Sequence, residues 1–152
     1  MSATQSVTFT FSIIGCRSTK FDFTTFALNN KEKIPQDKYQ FEFSINLNIA
    51  KEQNLITVNI LSTLSKLESD KEKIATLESV NEFKILNLGE LITETTDGIL
   101  IPDPIIIQFF SISLSNTRGM YAVKLENSIY DNAIAPVMDI SQFIPKKIIP
   151  VG

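Results

Sequence analysis

A single cysteine, a few close carboxylate pairs and no histidine are what this 152-residue chain offers for chemistry. Without histidine it lacks the commonest general base and metal ligand, and no Ser-His or Cys-His nucleophile can be assembled. Cys16 has neither a second thiol to bridge nor an imidazole with which to share a metal. Set in strand-like sequence, it reads as a half-buried small apolar residue. Glu68 and Asp70 fall in a charged turn, and Glu78 and Glu82 lie on a strand surface. Acid–base work needs carboxyl groups whose environments push their pKa values apart inside a cleft, which solvated pairs do not provide. The patterns GxGxxG, GxxxxGK(S/T), GxSxG and HExxH are missing. The reading is a protein that is not an enzyme, with no catalytic, cofactor-binding or metal-binding residue.

The positive signal is hydrophobic. Phe occurs 11 times beside 3 Tyr and no Trp, and 43% of residues are apolar. Such a chain of 17.0 kDa supports one domain over residues 1–152 with a genuine core. A net charge of −3, from 14 basic and 17 acidic residues scattered along the chain, forms no basic stripe for a phosphate backbone, which excludes nucleic acid as a partner. The start of the chain lacks the basic and apolar regions of a signal peptide, and no stretch is long enough to span a bilayer. The expectation is a cytoplasmic protein without membrane insertion.

The elements that would position these residues follow from periodicity. Val7, Phe9, Phe11 and Ile13 alternate with polar residues, Phe21 and Phe23 resume the pattern, and Gly15 between them predicts a bulge or bend. Tyr39 to Ile49 alternates without fault. Leu55–Leu64 and Ile74–Leu86 give two more strands, joined by the charged turn 66–73. A short helical turn is expected within 88–93. Next comes the most apolar segment, with Asp103 as N-cap, Pro104 at the first position, a narrow polar stripe of Gln108, Ser111, Ser115 and Arg118, and Gly119 as the stop. That predicts a helix over 104–118, followed by extended chain over 120–125 and a short final helix capped by Asp139. Four strands and then helices make an α+β fold: a four-stranded antiparallel meander sheet with a long apolar helix and a short C-terminal helix packed on one face. Phe9, Phe41 and Phe109 are expected in the core. One sheet layer cannot also cover the whole circumference of so apolar a helix. Self-association is therefore expected, with Ile105, Ile106, Phe109, Phe110 and Leu114 as the subunit contacts.

Three stretches together carry a family resemblance. They are the bent first strand from Phe11 to Thr25, Thr117-Arg118-Gly119 ending the apolar helix, and Ile134-Ala-Pro-Val-Met-Asp-Ile140 leading into the last helix. In this order, from about Val7 to Phe143, the chain resembles the SecB-like proteins, whose best-known members are export chaperones. The resemblance implies helices on one side of a four-stranded sheet and a homo-oligomer, a dimer or dimer of dimers. It also implies ATP-independent holding of unfolded polypeptide clients in apolar surface grooves, either for an export machinery or for one dedicated partner such as an antitoxin. The family's loop between the first two strands supplies groove aromatics, whereas Ala27–Lys38 here contains Leu28 and Ile34 and no aromatic before Tyr39. Client-binding residues are therefore expected at Phe21, Phe23, Phe26, Tyr39, Phe41 and Phe43 around that loop, with Phe143 and Ile144. The alternative is a structural or assembly subunit with the same oligomeric fold and no groove.

Overall fold

Alternating side chains give each long strand one apolar face, and burying those faces together builds the sheet. The computed structural model describes residues 8–23, 38–67, 72–131 and 133–145. Its strands are β1 (Phe11–Phe23), β2 (Tyr39–Ala50), β3 (Leu55–Lys66) and β4 (Lys73–Ile85), all antiparallel in the order β1-β4-β3-β2. The meander runs through β2, β3 and β4, and β1 lies against β4. The first and second strands are therefore the two edges of the sheet. Asn54, with φ 55°, turns the chain between β2 and β3, and its N–H donates to Lys51 O at 3.0 Å. Lys66 and Glu72 pair at 2.9 Å across the charged turn; Glu68 and Asp70 lie outside the described residues.

The two edges differ. β2 matches β3 over twelve consecutive pairs without a slip. β1 slips twice against β4, between Ile13 and Gly15 and again between Ser18 and Lys20. The first slip is the bulge expected at Gly15. The second returns Phe21 and Phe23 to the apolar face. Without it they would point to water, because a one-residue slip exchanges the faces of a strand.

Beyond the sheet come α1 (Leu88–Leu91), a small hairpin of β5 (Thr93–Thr95) and β6 (Gly98–Leu100), and the long helix α2 (Asp103–Lys124). The hairpin was not anticipated; its strands are only three residues long. α2 begins after Pro102, with Asp103 in its first turn and no side-chain cap bond. It buries Ile105, Ile106, Phe109, Phe110, Ser113, Leu114, Thr117 and Tyr121, a stripe at helical spacing turned toward the sheet.

The expected stop at Gly119 and the extended stretch after it are corrected: the helix runs on to Lys124. A glycine inside a helix costs about 1 kcal/mol. Continuing the helix buries Tyr121 and Leu125, each worth roughly 2 kcal/mol or more. Burial outweighs the glycine.

The residues expected as subunit contacts are already covered within the single chain. Ile105, Ile106, Phe109, Phe110 and Leu114 are at most 5% exposed within the single chain. The β5–β6 hairpin brings Ile99 and Ile101 onto the same core, and the segment 133–145 adds Met138, Ile140, Phe143 and Ile144. These supply the cover that a lone sheet could not.

Two apolar clusters result. One gathers Leu47, Ile49, Ile56, Val58, Ile60 and Phe83 with Phe109, Phe110 and Leu114. The other gathers Leu64, Leu77, Tyr121, Leu125 and Tyr130 with Tyr39. Between them buried hydroxyls bond sheet to helix. Ser79 Oγ and Thr117 Oγ1 lie 2.9 Å apart, and Thr117 Oγ1 also donates to Ser113 O at 2.8 Å.

Candidate functional site

The sheet register brings most of the anticipated aromatic residues into two neighbouring rows on the helix side. One row reads Phe23, Ala75, Leu64, Phe41 across the strands, and the next reads Phe21, Leu77, Ser62, Phe43. The middle residues of each row are buried under α2, and the aromatic ends, on the two edge strands, are half-buried. Each row thus presents a ring at either edge of the sheet, three strand spacings or about 14 Å apart. Phe26 lies outside the described residues, as does nearly all of the Ala27–Lys38 loop.

On the β2 side the rings are ordered by one another. Phe41 stacks on Phe43 at 6.2 Å and meets Tyr39 edge-on at 6.2 Å, and its ring is edge-on to Tyr121 at 5.2 Å. On the β1 side Phe21 stacks on Phe23 at 5.9 Å, and Phe23 is edge-on to Tyr130. Lys124 Nζ stands 5.0 Å above the Phe21 ring, a cation–π contact at the end of α2. Tyr39 is the exception to half-exposure, at 7%. Burial pushes its phenol up, and a hydrogen bond with the Ile134 backbone opposes that shift.

Phe143 and Ile144 reach the other apolar cluster, to which the half-buried Phe43 and Ile45 also belong. They arrive on an irregular segment, residues 133–145. Its only regular turn is a 3-10 turn, Ile140–Phe143, whose cap Asp139 accepts from Ser141 N at 3.0 Å and from Ser141 Oγ at 2.7 Å. This is the short final helix expected behind Asp139. Those two bonds hold the Asp139 carboxyl below its ordinary range. The segment is tied to α2 by Arg118, whose Nε donates to Ala135 O at 2.8 Å. Sequence reasoning placed Arg118 at a helix end and missed this role. No periodic signal marks a side chain that bonds a distant carbonyl.

Among the described residues, Cys16 and the Glu82 carboxylate stand apart from one another. Cys16, on the edge strand β1, is exposed rather than half-buried. Partial burial nevertheless pushes its thiol up, away from the reactive thiolate. Glu82 is ion-paired with Arg17 at 2.7 Å on the opposite, solvent-facing side of the sheet. Among the described residues no cluster of three or more His, Cys, Asp or Glu could hold a metal, and no helix is long and apolar enough to cross a membrane. Among the described residues, one surface cleft of about 250 Å³ is lined by Thr8, Phe9, Thr10, Leu86, Asn87, Glu90 and Leu91. The candidate site is the apolar and aromatic surface formed by the half-buried rings on the two edge strands.

No family model matches the chain, and no curated protein matches its sequence. Among solved structures, the chain is similar to the Mycobacterium tuberculosis SecB-like chaperone Rv1957, solved in complex with a ChAD peptide from the Rv1956 HigA1 antitoxin. The two share 14% identity over 85% of this chain and 88% of that one, with a TM-score of 0.47.

Proposed function

We propose that this protein is a chaperone-like holdase that keeps unfolded polypeptide segments in solution without nucleotide and without catalysis. One observation carries the reading. β2 is a twelve-residue edge strand, unbroken in register and bearing a single charge, Glu42, with half-buried Phe41, Phe43 and Ile45 on one face. An extended client presents apolar side chains and unpaired backbone groups, and such an edge answers both without reading a sequence. Aromatic side chains suit loose recognition because they give large contact areas to many partners. Phe21 and Phe23 would extend the apolar contact at the opposite edge, while Phe143 and Ile144 pack on the cluster that takes Phe43. Resemblance to the SecB-like proteins points the same way, and a client drawn from export substrates or from one dedicated unstable partner, such as an antitoxin, fits equally.

Self-association belongs to the same reading, but through a different part of α2. Beyond its first turn, which holds the exposed Asp103, its exposed residues Ile107, Gln108, Ser115, Gly119, Ala122 and Val123 carry no charge, and Ile107 and Val123 are 42% and 70% exposed. A second copy packing there, in a dimer or a dimer of dimers, would cover them. Light scattering checks this, and a 17 kDa monomer at all concentrations would sink it.

The holdase test is direct. Purified protein is mixed with a reduced, unfolded model polypeptide such as carboxymethylated α-lactalbumin. Suppressed aggregation of a partly unfolded substrate and a complex surviving gel filtration are expected, both weakened by Phe41→Ser with Phe43→Ser. If neither is seen with the unaltered protein, the assembly-subunit reading takes its place.

A further inference from the structure

The segment 133–145 has the character of a client. It is irregular and rich in apolar residues, with Asp139 its one charge. Residues 134–138 make no backbone-to-backbone hydrogen bond among the described residues. The segment lies on the molecule through half-buried side chains, Met138, Ile140, Phe143 and Ile144, all packed on the cluster that also takes Phe43 and Ile45. Its entry is fixed by two pins from different elements: Arg118 of α2 to Ala135 O, and Tyr39 of β2 to the Ile134 backbone. Between and beside these pins Ile134 and Val137 are 65% and 81% exposed. A stretch with no ladder bonds, few ties and much exposed apolar surface belongs to the low-stability end of a structure, which opens locally before the rest unfolds.

We propose that this strap is a built-in occupant of the apolar face, released when a client binds; the proposal rests on the holdase reading above. With the strap down, Met138, Ile140, Phe143 and Ile144 cover the cluster beside β2 and keep it from non-specific association. With the strap off, that surface joins Phe41 and Phe43 into one wider contact. The client's apparent affinity is its intrinsic affinity reduced by the fraction of molecules whose strap is released. Arg118 and Tyr39 set that fraction. They are positioning residues, acting through the strap and not by touching the client.

Hydrogen exchange on the unaltered protein gives one test. Amides of residues 134–144 should exchange well before those of β3 and β4, and faster still when carboxymethylated α-lactalbumin is added to saturation. Protection equal to β4, or a slowing on addition of client, would overturn the strap. Arg118→Ala, which removes one pin, should bind the same client about fivefold more tightly with an unchanged circular dichroism spectrum. Unchanged or weaker binding by the folded variant counts against the proposal, and should the variant fail to fold, the exchange experiment decides alone. A synthetic peptide of residues 133–145 should compete with the client in trans; no competition at millimolar peptide also argues against it. Client binding with a protected strap overturns the strap and leaves the holdase; no client binding at all overturns the holdase itself.

Discussion

Ser62 on β3 and Tyr121 on α2 bond each other twice: Ser62 Oγ donates to Tyr121 OH at 2.8 Å, and Tyr121 OH donates to Ser62 O at 3.0 Å. Both residues are fully buried. The pair ties the last turns of the helix to the centre of the sheet, one row below the aromatic edge at Phe41. Burial raises the Tyr121 phenol to about 12, since its ionised form has no water to stabilise it. An unfolded tyrosine titrates near 10, so between about pH 10 and 12 the unfolded chain gives up a proton that the folded chain keeps. Stability is therefore full below pH 10 and falls as pH rises to 12, by roughly 2–3 kcal/mol from this residue. Tyr121→Phe should cost about 1–3 kcal/mol at pH 8 and flatten that alkaline fall. Urea unfolding at pH 8 and pH 11 measures both; an unaltered alkaline slope would mean that Tyr121 does not carry it.

Phe109 makes the shortest ring-to-ring contact among the described residues. It stacks on Phe83 at 4.3 Å and takes Phe11 and Phe9 on its edge at 5.0 and 5.9 Å. Phe109→Ala should cost about 3–5 kcal/mol, the range for truncating a buried phenylalanine. Because the ring is covered within one chain, the loss should not depend on protein concentration. A midpoint that rises with concentration in the unaltered protein and stops doing so in the variant would return Phe109 to a subunit interface.

The contrast between these two residues shows what was legible in the sequence. Strict alternation over Tyr39–Ile49 and Leu55–Leu64 marked strands and their buried faces, because a period of two leaves little choice of face. Gly15 signalled its bulge. The pairing of β1 with β4 was not legible, since nothing local in β1 names its neighbour. The helix end was misplaced because Gly119 is a stop only when the residues beyond it gain nothing by continuing, and Tyr121 and Leu125 gain burial. For the site, Phe21, Phe23, Phe41 and Phe43 stood out as aromatics on strand faces. Their assembly into two cross-sheet rows needed the second bulge, at Ser18–Lys20, which has no glycine to announce it. The tie from Arg118 to Ala135 spans 17 residues and leaves no periodic trace.

Gly15 owes its identity to a neighbour more than to its backbone. A Cβ placed there would meet Glu82 Oε2, the oxygen that Arg17 holds at 2.7 Å. That oxygen ends a flexible side chain, and the ion pair is largely exposed, so Gly15→Ala should displace Glu82 at a cost under about 1 kcal/mol. Glu82→Ala should cost a similar amount, and the double variant no more than either alone, because both remove the same contact. Additive losses in chemical denaturation would show that the glycine is needed by the bulge and not by the carboxylate.

Asp139 makes the strap sensitive to acid. Ser141 donates to its carboxylate from both hydroxyl and backbone, holding its pKa below the ordinary value of about 4. A depressed folded-state pKa stabilises the turn fully above the unfolded value, and that contribution is lost as pH falls through the lower, folded one. The 3-10 turn Ile140–Phe143 should therefore loosen below about pH 4, before β3 and β4 give way. The Ser141 amide reports this in NMR spectra: its resonance should move and its exchange quicken between pH 5 and pH 3. Asp139→Asn, which keeps an acceptor but has no proton to gain, should hold the Ser141 signal steady over the same range. If the unaltered protein shows a flat Ser141 profile down to pH 3, the cap does not govern the turn. If loosening is seen and client affinity rises with it, acid and Arg118→Ala act on the same strap from its two ends.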